Sequence, residues 1–179
     1  MTDLDQLIER NKHFATTQAY QALPMAPRRG VCVVTCLDPR TDPAGFLELE
    51  LGDVAVIRNA GGRVTQAVID DLAFISYLSE VRRPDGPMFG VAVIHHNKCG
   101  TGFLADADFS RNFATHVGAD DAALAAEAVT DPVQTVQHDV ELLRSSTLLS
   151  TKITVSGHVY DVDTGVVTTV APVAPVRAS

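Results

Sequence analysis

No apolar run in this sequence approaches the ~20 residues that a bilayer-crossing helix requires, so no helical membrane span is expected. It has no long block of Lys and Arg either. Fourteen cationic side chains stand against 22 Asp and Glu, a net charge of -8. Phosphate binding draws its affinity from clustered cations, so no nucleic-acid partner is expected. Cysteines number only three, and the charged start "MTDLDQLIER" does not read as an export signal. A disulfide framework is therefore not expected. The setting that fits is a reducing cytoplasm, where thiols serve metals or catalysis. Internal repeats and low-complexity linkers are missing. So is the Gly-x-Gly-x-x-Gly turn that dinucleotide binding on a Rossmann-like sheet needs.

What is present suffices for one domain over residues 1–179. At 46% apolar residues the chain can bury a core without cross-links. Leu4, Leu7, Ile8 and Phe14 recur at helical spacing among charges and predict an amphipathic helix over 2–20. "GVCVVTC", "VAVIRNAGG" and "MFGVAVIH" are short, β-branched and apolar throughout, the mark of strands buried on both faces of a parallel sheet. A helix is expected over 65–81, with Val68, Leu72, Ile75 and Leu78 on one face. After residue 100 a loop or short helix is expected, then a helix in "DDAALAAEAV". A further helix opens at "TDPVQ", where Pro132 falls in the first turn. "KITVSGHVYDV" reads as the last main strand. "DTG" turns it, "VVTTV" pairs back as a short hairpin, and 171–179 reads as a loose tail. This alternation makes the fold class α/β, a mostly parallel central sheet flanked by helices. Such sheets bind ligands at the carboxyl ends of their strands.

Two groups of chemically active residues fall at strand ends. "VAVIHHNKCG" runs an apolar strand into His95, His96, Lys98 and Cys99, and "CLDPR" places Cys36 at the end of an earlier strand. Two thiolates and an imidazole suit zinc, and three protein ligands leave a fourth position open, as in catalytic sites. Asp38 lies close enough to Cys36 either to ligate a metal or to accept a hydrogen bond from its water. Arg40 can hold that carboxylate in a bidentate fork. The plain alternative is a turn with a surface salt bridge, worth little. His95 falls on the opposite side of a continuing strand and reads as structural. Cys32 reads as core. Asp53 and Arg58 read as pairing or capping at the sheet edge, and the glycines of "NAGG" as letting backbone pass close to the site.

Taken together, "CLDPR", "GDVAVIRNAGG", "HHNKCG" and "SGHVYDVDTG", in this order, resemble the β-class carbonic anhydrases over roughly residues 4–170. The shortness of the chain resembles the small microbial branch, which includes carbonyl sulfide and carbon disulfide hydrolases. The resemblance implies zinc on Cys36, His96 and Cys99, a catalytic dyad of Asp38 and Arg40, and reversible hydration of carbon dioxide to bicarbonate by zinc-bound hydroxide. It also implies a homodimer or dimer of dimers, with the N-terminal helix packed on a partner subunit. Carbonyl sulfide or carbon disulfide hydrolysis at the same zinc site is the alternative activity. A structural-zinc module, with Asp38 as a permanent fourth ligand, is the alternative of another class. Tryptophan is absent, so the Trp-containing bicarbonate-inhibition site of some relatives is missing in that form.

Overall fold

A computed structural model describes residues 2–177 of the chain. In chain order the elements are α1 (Asp3–Thr17), β1 (Val31–Cys36), α2 (Pro43–Phe46), β2 (Ala55–Asn59), α3 (Gln66–Arg82), β3 (Gly90–His96), α4 (Ala107–Val117), α5 (Asp121–Ala126), α6 (Pro132–Arg144), β4 (Thr154–Tyr160) and β5 (Val167–Pro175). Short 3₁₀ turns lie at Pro39–Thr41, Ala60–Gly62 and Gly100–Ala105. The five strands form one sheet in the order β2-β1-β3-β4-β5. The first four run parallel, and only β5 is antiparallel, joined to β4 by the turn after Tyr160.

The apolar runs of β1, β3 and β4 form the centre of this sheet because both of their faces are covered, whereas β2, expected to be buried on both faces, is an edge strand with Val56 exposed. Val34, Val91 and Val93 are almost wholly buried, and Leu72 of α3 and Val136, Val140 and Leu143 of α6 close the same core. The helices α4 and α6 start where the sequence supplies a side-chain cap. Asp131 accepts from the amides of Val133 and Gln134, with Pro132 in the first turn of α6, and Asp106 does the same for α4. Gly157 of β4 is needed for closeness rather than for backbone freedom. A Cβ there would lie 2.4 Å from Val136 Cγ1 and 2.8 Å from Val140 Cγ2.

Several boundaries differ from the sequence expectation. The N-terminal helix ends at Thr17, where Gln18 turns left-handed, and none of its residues is buried. A full helix, α4, occupies part of the stretch expected to be loop or short helix, and α5 is only six residues long. The segment from Ala171, expected to be loose, continues β5 to Pro175, and Val176 is buried. Its prolines disguised it. An edge strand tolerates proline because one side of its backbone has no ladder to serve, and β5 is the sheet edge. Residues 178 and 179 of that expected tail lie outside the described residues.

Gly157→Ala should destabilise the fold by about 1–3 kcal/mol through overpacking between β4 and α6. Chemical denaturation measures this; an unchanged midpoint would show that the helix–strand distance is not tight.

Candidate metal centre

β1 and β3 are parallel neighbours, with Thr35 opposite Ile94, so their carboxyl ends come side by side. Cys36 is the last residue of β1 and His96 the last of β3. Cys99 follows a turn in which Lys98 takes a left-handed φ of 53°, which brings the chain back toward β1. One side-chain ligand atom from each of Cys36, His96 and Cys99 lies within 4.8 Å of the others, and all three residues are buried. The two sulfurs are 3.9 Å apart.

These residues fit a zinc ion on two counts. A tetrahedral site with Zn–S bonds of ~2.3 Å holds its sulfurs about 3.8 Å apart, close to the separation here. The second count is the histidine tautomer. His96 Nδ1 lies 2.8 Å from the Asn97 carbonyl, which can only accept, so Nδ1 carries the hydrogen and Nε2 presents a lone pair. That Nε2 is buried and has no hydrogen-bond partner among the described residues. An unpaired buried acceptor is costly, and a cation beside the two sulfurs satisfies it. The thiols carry the same message. The hydrogen bond from Cys36, aided by Thr101, holds the Cys99 thiol well below its usual range. The same bond to Cys99 and burial push the Cys36 thiol up. One negative charge is easily held; the second needs a cation.

Asp38 and Arg40 sit beside this cluster. Arg40 donates from Nε to Oδ1 at 2.9 Å and from Nη2 to Oδ2 at 2.6 Å, and its backbone N–H donates to Oδ1 at 2.9 Å. These contacts hold the Asp38 carboxyl down to about 2. The carboxylate does not join the group of mutually close ligand atoms. Arg40 Nη2 also donates to the Lys98 carbonyl at 3.0 Å, so one guanidinium bridges the two ligand-bearing loops.

Arg58 differs from its sequence reading. It does not serve the sheet edge alone: Nε donates to the Cys36 carbonyl at 3.0 Å and Nη2 to the Asp38 carbonyl at 2.8 Å. Its position on β2, beside β1, was the available signal. Asp53, by contrast, pairs with Arg28 and Arg29 at the far end of the sheet. Asn97 and Lys98 tie the second loop to the β4–β5 turn, through Val162 N–H to Asn97 Oδ1 at 2.9 Å and Lys98 Nζ to Asp163 at 2.7 Å.

Behind the cluster lies a buried network that sequence reasoning missed. His95 turns away from the cysteines; its Nδ1 meets Thr135 Oγ1 at 2.8 Å, and Nε2 faces the Gly62 carbonyl at 3.1 Å and Asp139 Oδ2 at 3.3 Å. Arg63 grips both Asp139 oxygens at 2.9 Å, and Val64 N–H donates to the same carboxylate at 2.8 Å. The network anchors the Ala60–Gly62 turn where it crosses β1. Gly62 has a φ of +69°, and a Cβ on it would lie 2.8 Å from the Cys36 amide nitrogen, so only glycine fits. Asp139 is distant in sequence, on a helix that otherwise reads as a core element, and nothing in its local pattern marked it.

Fold and cluster define the class: an α/β protein with a Cys–His–Cys cluster of zinc-binding chemistry at the carboxyl ends of parallel strands. Comparisons narrow it. The family model described as carbonic anhydrase matches residues 31–116. The chain is 30% identical over 173 residues to β-carbonic anhydrase 1 of Mycobacterium tuberculosis, covering 96% of this chain and 100% of that one. Among solved structures, a carbonic anhydrase from Streptococcus mutans is 35% identical with a TM-score of 0.78, covering 95% of this chain and 98% of that one. The apo form of a carbon disulfide hydrolase shares the fold at 21% identity and a TM-score of 0.57, over 92% of this chain and 88% of that one. The chain belongs to the β-carbonic anhydrase family. Hydration of carbon dioxide is that family's general kind of reaction.

Burial raises the Asp139 carboxyl, but hydrogen bonds from His95, Arg63 and the Val64 amide outweigh it and bring it down to about 2. A folded value below the ordinary ~3.9 means that this stabilisation, on the order of 2 kcal/mol, is complete above about pH 4 and lost as pH falls through about 2. Asp139→Asn should therefore flatten the acid limb of the unfolding profile. Melting curves of both proteins between pH 6 and 2.5 decide it; parallel limbs would remove Asp139 as the source.

Proposed function

We propose that the chain is a zinc enzyme that hydrates carbon dioxide reversibly to bicarbonate, with Cys36, His96 and Cys99 as ligands and Asp38 and Arg40 as the catalytic pair. The observation that carries this reading is the bare, buried His96 Nε2 beside two sulfurs. Bound there, Zn²⁺ supplies a Lewis acid that makes a water nucleophilic near neutral pH. The chain's own residues do the rest. Asp38 is a carboxylate throughout the neutral range. A carboxyl that acidic is a poor proton store, so its part is to accept a hydrogen bond and orient the attacking water. Arg40 occupies both Asp38 oxygens and keeps the carboxylate from becoming a fourth ligand. Val129 packs against Cys36 and Cys99 and gives the small apolar substrate a dry wall. The Asp38 side chain is 14% exposed, so the released proton has a route to solvent.

One preparation tests the reading. It should hold about one zinc per chain, and Cys36→Ala, His96→Ala and Cys99→Ala should each lose it. Asp38→Asn and Arg40→Ala should keep the metal and lose turnover, by about 10²-fold for a misplaced water. Stopped-flow hydration of carbon dioxide should exceed release of hydrogen sulfide from carbonyl sulfide; the reverse order transfers the activity to the sulfur substrate. Loss of zinc in Asp38→Asn would make Asp38 a ligand and the centre structural.

The chain is further proposed to act as a single 1–179 domain assembled into a homodimer or a dimer of dimers, in the cytoplasm. Among the described residues no helix is long and apolar enough to cross a membrane. Support for assembly comes from α1, whose Leu4, Leu7, Ile8 and Phe14 are all exposed, an apolar stripe that a partner subunit would cover. Leu7→Glu with Ile8→Glu should shift the sedimentation mass toward the monomer. An unchanged mass would show that α1 does not hold the assembly.

A further inference from the structure

The amino ends of the strands, opposite the candidate metal centre, enclose a cavity of about 490 Å³. That is within the ~300–1,000 Å³ of small-molecule sites. Its floor is apolar: Val31 and Ala55 begin two strands, Ile75 and Leu78 come from α3, and Met88 and Phe89 lead into β3. Cys32 adds a neutral surface, since burial pushes its thiol up to about 12. Four arginines line the cavity, namely Arg28, Arg29, Arg82 and Arg83, and no Asp or Glu does. On a chain of net charge -8, this concentration of positive charge is unusual.

The four arginines are not equivalent. Arg28 and Arg29 share the buried Asp53 carboxylate at 2.9–3.1 Å. Arg82 and Arg83 make no ion pair among the described residues, and their side chains donate no hydrogen bond there. Their position at the end of α3 complements that helix's carbonyl end. This accounts for positive charge near the helix terminus. It does not account for two arginines that line an apolar cavity and have no partner among the described residues.

We propose that this cavity binds an amphipathic monocarboxylate, its apolar body on the floor and its carboxylate against Arg82 and Arg83. Guanidinium forks match carboxylates bidentately, and the floor supplies apolar area to bury. The assignment is independent of the metal centre and of the reaction there.

The full chain, labelled with ¹³C-methyl methionine, provides the test. It has three methionines, of which Met25 and Met88 line the cavity; Met25→Leu and Met88→Leu assign their signals. Titration with octanoate, below its micellar concentration, should shift both methyls saturably. Octanol, which has a similar tail and no charge, should bind at least tenfold more weakly. Arg82→Gln with Arg83→Gln should abolish that preference while leaving octanol binding and carbon dioxide hydration unchanged. Silent Met25 and Met88 methyls, equal affinity for octanoate and octanol in the parent, or full octanoate affinity in the double variant would each overturn the proposal. An octanoate effect on turnover without methyl shifts would place the carboxylate at the metal centre instead, and would overturn it too.

Discussion

Two buried sulfurs 3.9 Å apart, on segments 63 residues distant in sequence, set the constraint that the rest of this structure meets. Burying one thiolate costs free energy, and burying a second next to it costs more unless a cation is present. The fold brings them together anyway, and holds them with backbone geometry rather than with side-chain plasticity. β1 and β3 are parallel neighbours in register. Lys98 accepts a left-handed φ, and Gly62 allows the crossing turn to touch the Cys36 amide. An arrangement so costly without a cation fits one.

Arginines brace this cluster. Arg58 holds the carbonyls of Cys36 and Asp38, Arg40 bridges Asp38 to the loop of the other two ligands, and Arg63 locks Asp139 behind the glycine turn. Their chief role is not that of salt bridges. Exposed pairs contribute ~0–1 kcal/mol, and a buried pair such as Arg63–Asp139 loses in desolvation much of what it gains. Their value is positional. Each takes hydrogen-bonding groups on loops, which would otherwise move, and ties them to the sheet.

The two ends of the sheet thus have opposite character. The carboxyl ends carry the Cys–His–Cys cluster under a shell of hydrogen bonds. The amino ends carry an apolar cavity lined by two arginines that have no ion-pair partner among the described residues. The central strands between them, β1 and β3 above all, are packed with β-branched residues to near-complete burial, and such interiors are rigid. One scaffold can therefore present separate chemistries at each end.

The α/β class was legible in the sequence because buried parallel strands read as continuous apolar runs and caps mark helix starts. Cys36, His96 and Cys99 stood out because zinc chemistry restricts ligand types and a short loop restricts spacing. Local pattern failed where the deciding partner was remote. β5 looked like a loose tail, since its prolines are tolerable only at an edge, and edge position belongs to the sheet as a whole. Arg58 looked peripheral until β2 lay beside β1. Arg63 and Asp139 had no local signature, and strand alternation gave only the side to which His95 turns, because a buried ionic network is defined only by which side chains meet after folding. Residue type and spacing by themselves determined the elements and the chemistry available to this chain. Tertiary packing decided which imidazole nitrogen was left bare, which carboxylate was held aside and which arginine held it, because hydrogen bonds and burial depend on distances that the linear order does not contain.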